Sequence, residues 1–165
     1  MARVSEQPML EGLEPTPREL GFRGPQVCTI VGITYRQLDY WARTELVRPS
    51  VMDANGSGTQ RLYSYRDLVE LKVIKQMLDA GISLQSARKA VESLRVFDED
   101  LASVRVVIQG PNIVLAQSDE QVMDLLRGGQ GVLSMVLEIE PLQQTITEAV
   151  QLAFDTDGTP RAAAR

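Results

Sequence analysis

The sequence predicts a mainly α-helical fold with small β elements: an N-terminal helix-turn-helix unit carrying a hairpin, then a smaller α+β unit. Three observations predict it. Over residues 24–97, apolar positions recur at helical spacing behind N-cap residues. A turn-rich stretch, 47–63, interrupts that pattern between the second and third helices. From Val104 onward, β-rich runs alternate with helical ones.

Residues 1–21 contain Pro8, Pro15 and Pro17 with four glutamates and no period, which predicts a flexible tail. A first helix starts at Gly24-Pro25, where proline is tolerated, and ends at Gly32. Thr34 caps a second helix, over about 34–45. Leu38, Trp41 and Ala42 share its inner face, so Trp41 reads as core. Arg36, Gln37, Asp39, Tyr40 and Arg43 face partly or wholly outward. Val47 to Met52 reads as an edge strand because Pro49 cannot donate to a ladder. Asp53 to Gly58 is a turn cluster, and Gln60 to Tyr63 the returning strand, so the hairpin tip spans about 52–62. Ser64 and Asp67 form a capping box before a helix with Leu68, Leu71, Ile74 and Leu78 inside. That helix stops near Gly81. Ser83 caps a fourth, with Leu84, Ala87, Val91 and Leu94 on its inner face. Helix, turn, helix, hairpin, helix, helix is a winged helix-turn-helix arrangement over 22–97.

The second unit spans 98–154. Val104 to Ile108 and Ile113 to Ala116 read as strands around the turn Gly110-Pro111-Asn112. Ser118 to Gln121 is a capping box for a helix with Val122, Leu125 and Leu126 inside, which Gly128-Gly129-Gln130-Gly131 breaks. That glycine run follows a helix, whereas amide phosphate cradles precede one, so it reads as a plain loop. Val132 to Ile139 is strand-like, and Pro141 starts a last helix with Leu142, Ile146, Ala149 and Ala153 on one face. About 50 residues is near the lower limit for independent stability, so this unit is expected to pack against a second copy or the first unit. Residues 155–165 read as a tail.

Composition excludes several classes of function. No apolar run approaches the roughly 20 residues of a membrane span, and the N-terminus lacks a signal-peptide pattern, so a cytoplasmic protein with no membrane partner is expected. With no histidine and the single Cys28, triad catalysis, intrachain disulfides and most zinc sites are excluded. Cys28 reads as a small buried hydrophobe, and Glu138, Glu140 and Glu148 as a solvated face. No catalytic residue, metal site or cofactor is expected, and no enzyme.

Charge is distributed unevenly. The net charge is -5, yet 24–97 carries ten Arg/Lys against seven Asp/Glu, and 98–165 four against eleven. Fourteen of the seventeen cations are arginine, whose planar fork suits phosphate and guanine. A polar helix face beside a basic hairpin suits a DNA groove and its flanking phosphates, which points to double-stranded DNA as partner.

Four ordered runs resemble the DNA-binding domain of MerR-family transcription regulators: Gly-Ile-Thr-x-Arg-x-Leu-x-Tyr-Trp at 32–41, Leu-Val-x-Pro at 46–49, Arg-Leu-Tyr-Ser-x-x-Asp-Leu at 61–68 and Gly-Ile-Ser-Leu at 81–84. The resemblance implies that the second helix enters the major groove while the wing grips the backbone. It makes Tyr35 and Arg36 candidates for base-edge or groove contact, and Tyr40, Arg43 and Arg61 candidates for phosphate. Thr34, Gln37, Asp39 and Tyr63 complete the expected DNA-binding set. It further implies a homodimer on promoter inverted repeats, often untwisting the spacer so that RNA polymerase can engage. The runs at 37–44 and 124–132 are similar to actinobacterial MerR-like proteins linked to growth and cell-division genes.

The chain also departs from the family pattern. Asp39 stands where most members carry a basic residue; it would accept from a cytosine amino group, or repel phosphate and hold Arg36 or Arg43 in a local ion pair. The long dimerising helix is replaced by strand-like sequence at Val104, and the metal-sensing cysteines are absent. The alternative function is an architectural DNA binder or excisionase-like recombination accessory protein, which shares the winged unit but is usually shorter.

Overall fold

A computed structural model describes residues 21–53, 60–97, 101–128 and 133–153. The tails expected over 1–20 and from 155, the turn residues 54–58 and the loop glycines 129 and 131 lie outside the described residues. The order of elements is β1 (Phe22–Arg23), α1 (Gly24–Val31), α2 (Tyr35–Arg43), β2 (Leu62–Tyr63), α3 (Tyr65–Asp79) and α4 (Leu84–Val96), then a 3-10 turn (Leu101–Ser103), β3 (Arg105–Gln109), β4 (Asn112–Ala116), α5 (Asp119–Gly128), β5 (Leu133–Glu138) and α6 (Ile139–Ala153). The result is mainly helical with two small antiparallel sheets.

Local chemistry sets the helix ends. Gly32 closes α1 at φ 81°, its N–H donating to the Cys28 carbonyl at 2.9 Å. That left-handed conformation costs glycine little because it has no Cβ. The Thr34 hydroxyl accepts from Gln37 N, and the Gln37 side chain accepts from Thr34 N at 3.0 Å, a reciprocal capping box. Ser64 and Asp67 form another at α3, and Ser83 caps α4. At α5 the pattern shifts by one residue: Gln121 N donates to the Ser118 hydroxyl, but the Gln121 side chain accepts from Gln117 N. α6 begins at Ile139, two residues before Pro141, because the missing N–H of a first-turn proline would have had no intrahelical partner.

The hairpin differs from expectation. The edge strand over Val47–Met52 does not form. Leu46 and Val47 are buried, with both N–H groups donating to the Trp41 carbonyl, and Glu45 takes φ 60° to turn the chain inward. Met52 forms an isolated bridge with Leu62 at the hairpin base, where Val51 N also donates to the Leu62 carbonyl at 3.2 Å. The returning strand is two residues long, and its sheet partner is β1, which periodicity did not reveal. Phe22 opposite Tyr63 and Arg23 opposite Leu62 bring the start of the domain against the hairpin. Asp67, itself buried, binds both arms: its carboxylate accepts from Ser50 N at 2.8 Å, the Ser50 hydroxyl at 2.7 Å and Ser64 N at 2.8 Å.

α3 is the axis of the molecule. Leu68, Val69, Leu71, Val73, Ile74 and Met77 leave almost no accessible surface, so the helix is buried on more than one face. α1, α4 and α6 pack on it, and one hydrophobic cluster runs from Val27 and Ile30 through α3 to Ile139, Leu142, Ile146 and Val150 of α6. The Tyr65 hydroxyl reaches α6, at 3.0 Å from both the Gln143 carbonyl and the Thr147 hydroxyl. The second sheet is antiparallel in the order β4-β3-β5, with Val107 opposite Val114 and Val136. Val106 and Ile108 join the shared core. Val122, Leu125 and Leu126, expected inside, are only half-buried, and no described residue of α5 is fully buried. α5 meets β4 alone among the larger element contacts, so its apolar face has one wall rather than two.

Glu70 sits inside this helical core, 6% exposed, facing Arg95 of α4 at 2.9 Å. Arg95 also donates to the Leu46 carbonyl at 2.8 Å and so ties α4, α3 and the chain after α2 together. Burial raises the Glu70 carboxyl above its ordinary range, while the Arg95 hydrogen bond opposes the rise. Arg95→Ala leaves that carboxylate unpaired and should destabilise the fold on the order of 2 kcal/mol at neutral pH, a moderate figure because Arg95 is itself partly exposed. The folded-state pKa would then lie still further above the unfolded one. The penalty is therefore full above the folded pKa and fades as acidification protonates Glu70, so denaturant titrations of both proteins between pH 8 and pH 5 should converge towards low pH.

Candidate nucleic-acid interface

α2 is amphipathic in the sense a groove-binding helix requires. Leu38, Trp41 and Ala42 anchor it to the core, while Tyr35 is 62% and Tyr40 49% exposed. Arg36 is exposed in the first turn and makes no ion pair with any described residue. Thr34 and Gln37 are also exposed, with their side chains occupied by the cap. Gly24 makes room for Tyr35: a Cβ there would come within 3.2 Å of the tyrosine ring, so the ring lies over the start of α1.

Asp39 links this helix to the hairpin. Its Oδ1 accepts from Arg61 Nη1 at 2.8 Å, and its Oδ2 from Arg43 Nε at 2.9 Å. Of the two partners the sequence offered it, Arg43 is the one paired; Arg61, twenty-two residues on, was not foreseen. The Arg61 hydrogen bond, with both arginine charges, holds the Asp39 carboxyl below its usual range, and the same bond raises Arg61. Arg61 is only 19% exposed. Arg43 keeps 65% of its side chain in solvent.

Tyr63 does not belong to the exposed set. It is fully buried, because alternation along β2 turns it inward opposite Phe22 while Leu62 is half-exposed. Burial pushes its hydroxyl up to about 12, so it stays neutral. Between β1, α2 and β2 lies a cleft of about 470 Å³, lined by Arg23, Tyr35, Asp39, Gln60, Arg61 and Tyr63 among others. Arg23 and Gln60 were not singled out from the sequence; their approach depends on the β1–β2 pairing. Among the described residues no group of His, Cys, Asp and Glu is placed to hold a metal, and no helix is long and apolar enough to cross a membrane. Burial raises the Cys28 thiol, away from reactive thiolate behaviour.

Residues 22–94 match the MerR HTH family regulatory protein model. These residues are a MerR-family helix-turn-helix domain. HTH-type transcriptional regulators of Mycobacterium bovis and of two strains of Mycobacterium tuberculosis are 50% identical over 141 residues, which cover 82% of this chain. The chain spans 63% of the length of these relatives. The aligned stretch, 141 residues, is longer than the MerR domain.

The buried Tyr63 hydroxyl has no hydrogen-bond partner among the described residues. Removing it relieves a desolvated polar group without changing the ring. Tyr63→Phe should therefore melt no lower than the parent and gain up to about 1 kcal/mol; a loss of that size would reveal a partner for the hydroxyl.

Proposed function

We propose that this chain is a sequence-specific, DNA-binding transcription regulator that acts as a homodimer on inverted-repeat promoter sites. One observation carries the reading: within a MerR-family domain, α2 presents Tyr35, Arg36, Tyr40 and Arg43 on an exposed face whose reverse is locked into the core by Leu38 and Trp41. A helix so anchored can enter a major groove without unfolding from its support. Tyr35 and Arg36, in the first turn, are the base-edge and groove contacts. Tyr40 and Arg43, one to two turns later, face the flanking backbone, and the wing, 52–62, is its second contact. Arg61 reaches phosphate only by sharing or leaving Asp39.

Dimerisation follows from inverted-repeat recognition, since a two-fold site is matched by a two-fold protein with half-sites one or two helical turns apart. The relatives' name, HTH-type transcriptional regulator, supports the same class of function. RNA polymerase is the natural second partner of a protein bound at a promoter, and the proposed setting is cytoplasmic.

Selection of bound duplexes from a random pool by the full-length chain, near physiological salt, should enrich an inverted repeat. Weak binding without an enriched motif would instead support an architectural role. Against the enriched duplex, Arg36→Ala should relax preference at one base-pair position per half-site, at a cost of roughly 1–3 kcal/mol. Unchanged preference at every position would remove Arg36 from base readout.

A further inference from the structure

Six charged side chains alternate in sign around the base of the hairpin. Glu45 Oε1 lies 3.2 Å from Arg48 Nη1, and Arg48 Nη2 lies 2.8 Å from Asp53 Oδ2. Asp53 Oδ1 is 3.8 Å from Arg61 Nε, Arg61 Nη1 is 2.8 Å from Asp39 Oδ1, and Asp39 Oδ2 is 2.9 Å from Arg43 Nε. The relay leaves the end of α2, crosses both arms of the hairpin and returns to α2. Its formal charge is zero, so three arginines near the DNA-facing surface are already committed to carboxylates. Arg36, at the leading end of the same helix, is paired with no carboxylate among the described residues.

This division has a consequence for selectivity. Sequence-independent affinity comes from cations that replace counterions at phosphates, and a cation held by a carboxylate contributes less. Sequence-dependent affinity comes from side chains at base edges. We propose that Asp39 is a specificity-setting residue of the DNA-binding face: by occupying Arg61 and Arg43 with one carboxylate oxygen each, it withholds both from the phosphates of non-cognate DNA. The proposal rests on the DNA-binding reading above. A phosphate displaces the carboxylate only when α2 is fully seated, where the exposed Arg43 swings out first and the more enclosed Arg61 follows. Each Asp39 oxygen accepts one such bond, from Arg61 and from Arg43.

Asp39→Asn tests this in the full-length chain. The amide keeps the shape and one acceptor and removes the charge. Equilibrium binding is measured for a random-sequence duplex and for the selected inverted repeat over a salt series, with thermal melting as a check on folding. The variant should bind the random duplex about tenfold more tightly near 50 mM salt, with a salt slope steeper by about one to two per protomer. The gain on the selected duplex should be smaller, so that the specificity ratio falls. Adding Arg61→Ala should return the random-duplex affinity towards the parent value, which a general loosening of the fold would not do. Unchanged or weaker random-duplex binding would overturn the proposal. So would relaxed preference at a single base pair without a gain on random DNA, which would make Asp39 a base reader. If the parent chain binds the selected duplex and the Asn variant binds both duplexes as the parent does, the relay idea fails alone; if the parent binds no duplex, the DNA-binding reading fails and takes this with it.

Discussion

The buried carboxylate of Asp67 is the constraint on which the interface depends. Three donors converge on it, two from Ser50 on the outgoing arm of the hairpin and one from Ser64 on the returning arm. A charge taken out of water is tolerable only with such compensation. Because the donors come from segments 14 residues apart, satisfying Asp67 also closes the hairpin at the first turn of α3. The Met52–Leu62 bridge and the β1–β2 pair then extend from a fixed base. Without that closure a two-residue strand and one isolated bridge would be too little backbone pairing to hold a wing in place.

From this base the geometry propagates to α2. Arg61 is the residue before β2, and its reach to Asp39 spans the gap between wing and helix. The chain after α2 turns inward at Glu45 and buries Leu46 and Val47, while Arg95 captures the Leu46 carbonyl from the far side of α3. The orientation of the exposed α2 face is thus set by apolar burial beneath it, and the Asp39–Arg61 ion pair joins it to the hairpin. Exposed ion pairs stabilise little, but they cost little to exchange. That makes them poor fasteners for a fold and useful regulators of a charged surface.

The second half of the chain completes the core of the first. α6 lies against α1 and α3, and Tyr65, the first residue of α3, hydrogen-bonds to it. Ile139, Leu142, Ile146 and Val150 cover apolar surface that α1 and α3 would otherwise leave wet, which at about 25 cal/mol per Å² makes α6 a structural part of the helical unit.

The sequence by itself determined what depends on neighbouring residues. Capping at Thr34, Ser64 and Ser83, the glycine stop at Gly32, the inward set Leu38, Trp41 and Ala42, and the strands either side of Gly110 are all local: each follows from side-chain chemistry within one or two turns or from simple alternation. The family motifs marked the helix of the candidate interface for the same reason. Tertiary structure decided what depends on distant partners. Val47 is buried rather than in an edge strand because the Trp41 carbonyl and the core claim its stretch of chain. Tyr63 points inward because β2 pairs with Phe22–Arg23, forty residues away, and a two-residue strand has no period to read. Arg61 is held by Asp39, and Glu70 by Arg95, because a charge finds its counterion in space. Local chemistry set which residues form helices; only long-range pairing decided which arginines of the candidate interface are held by carboxylates.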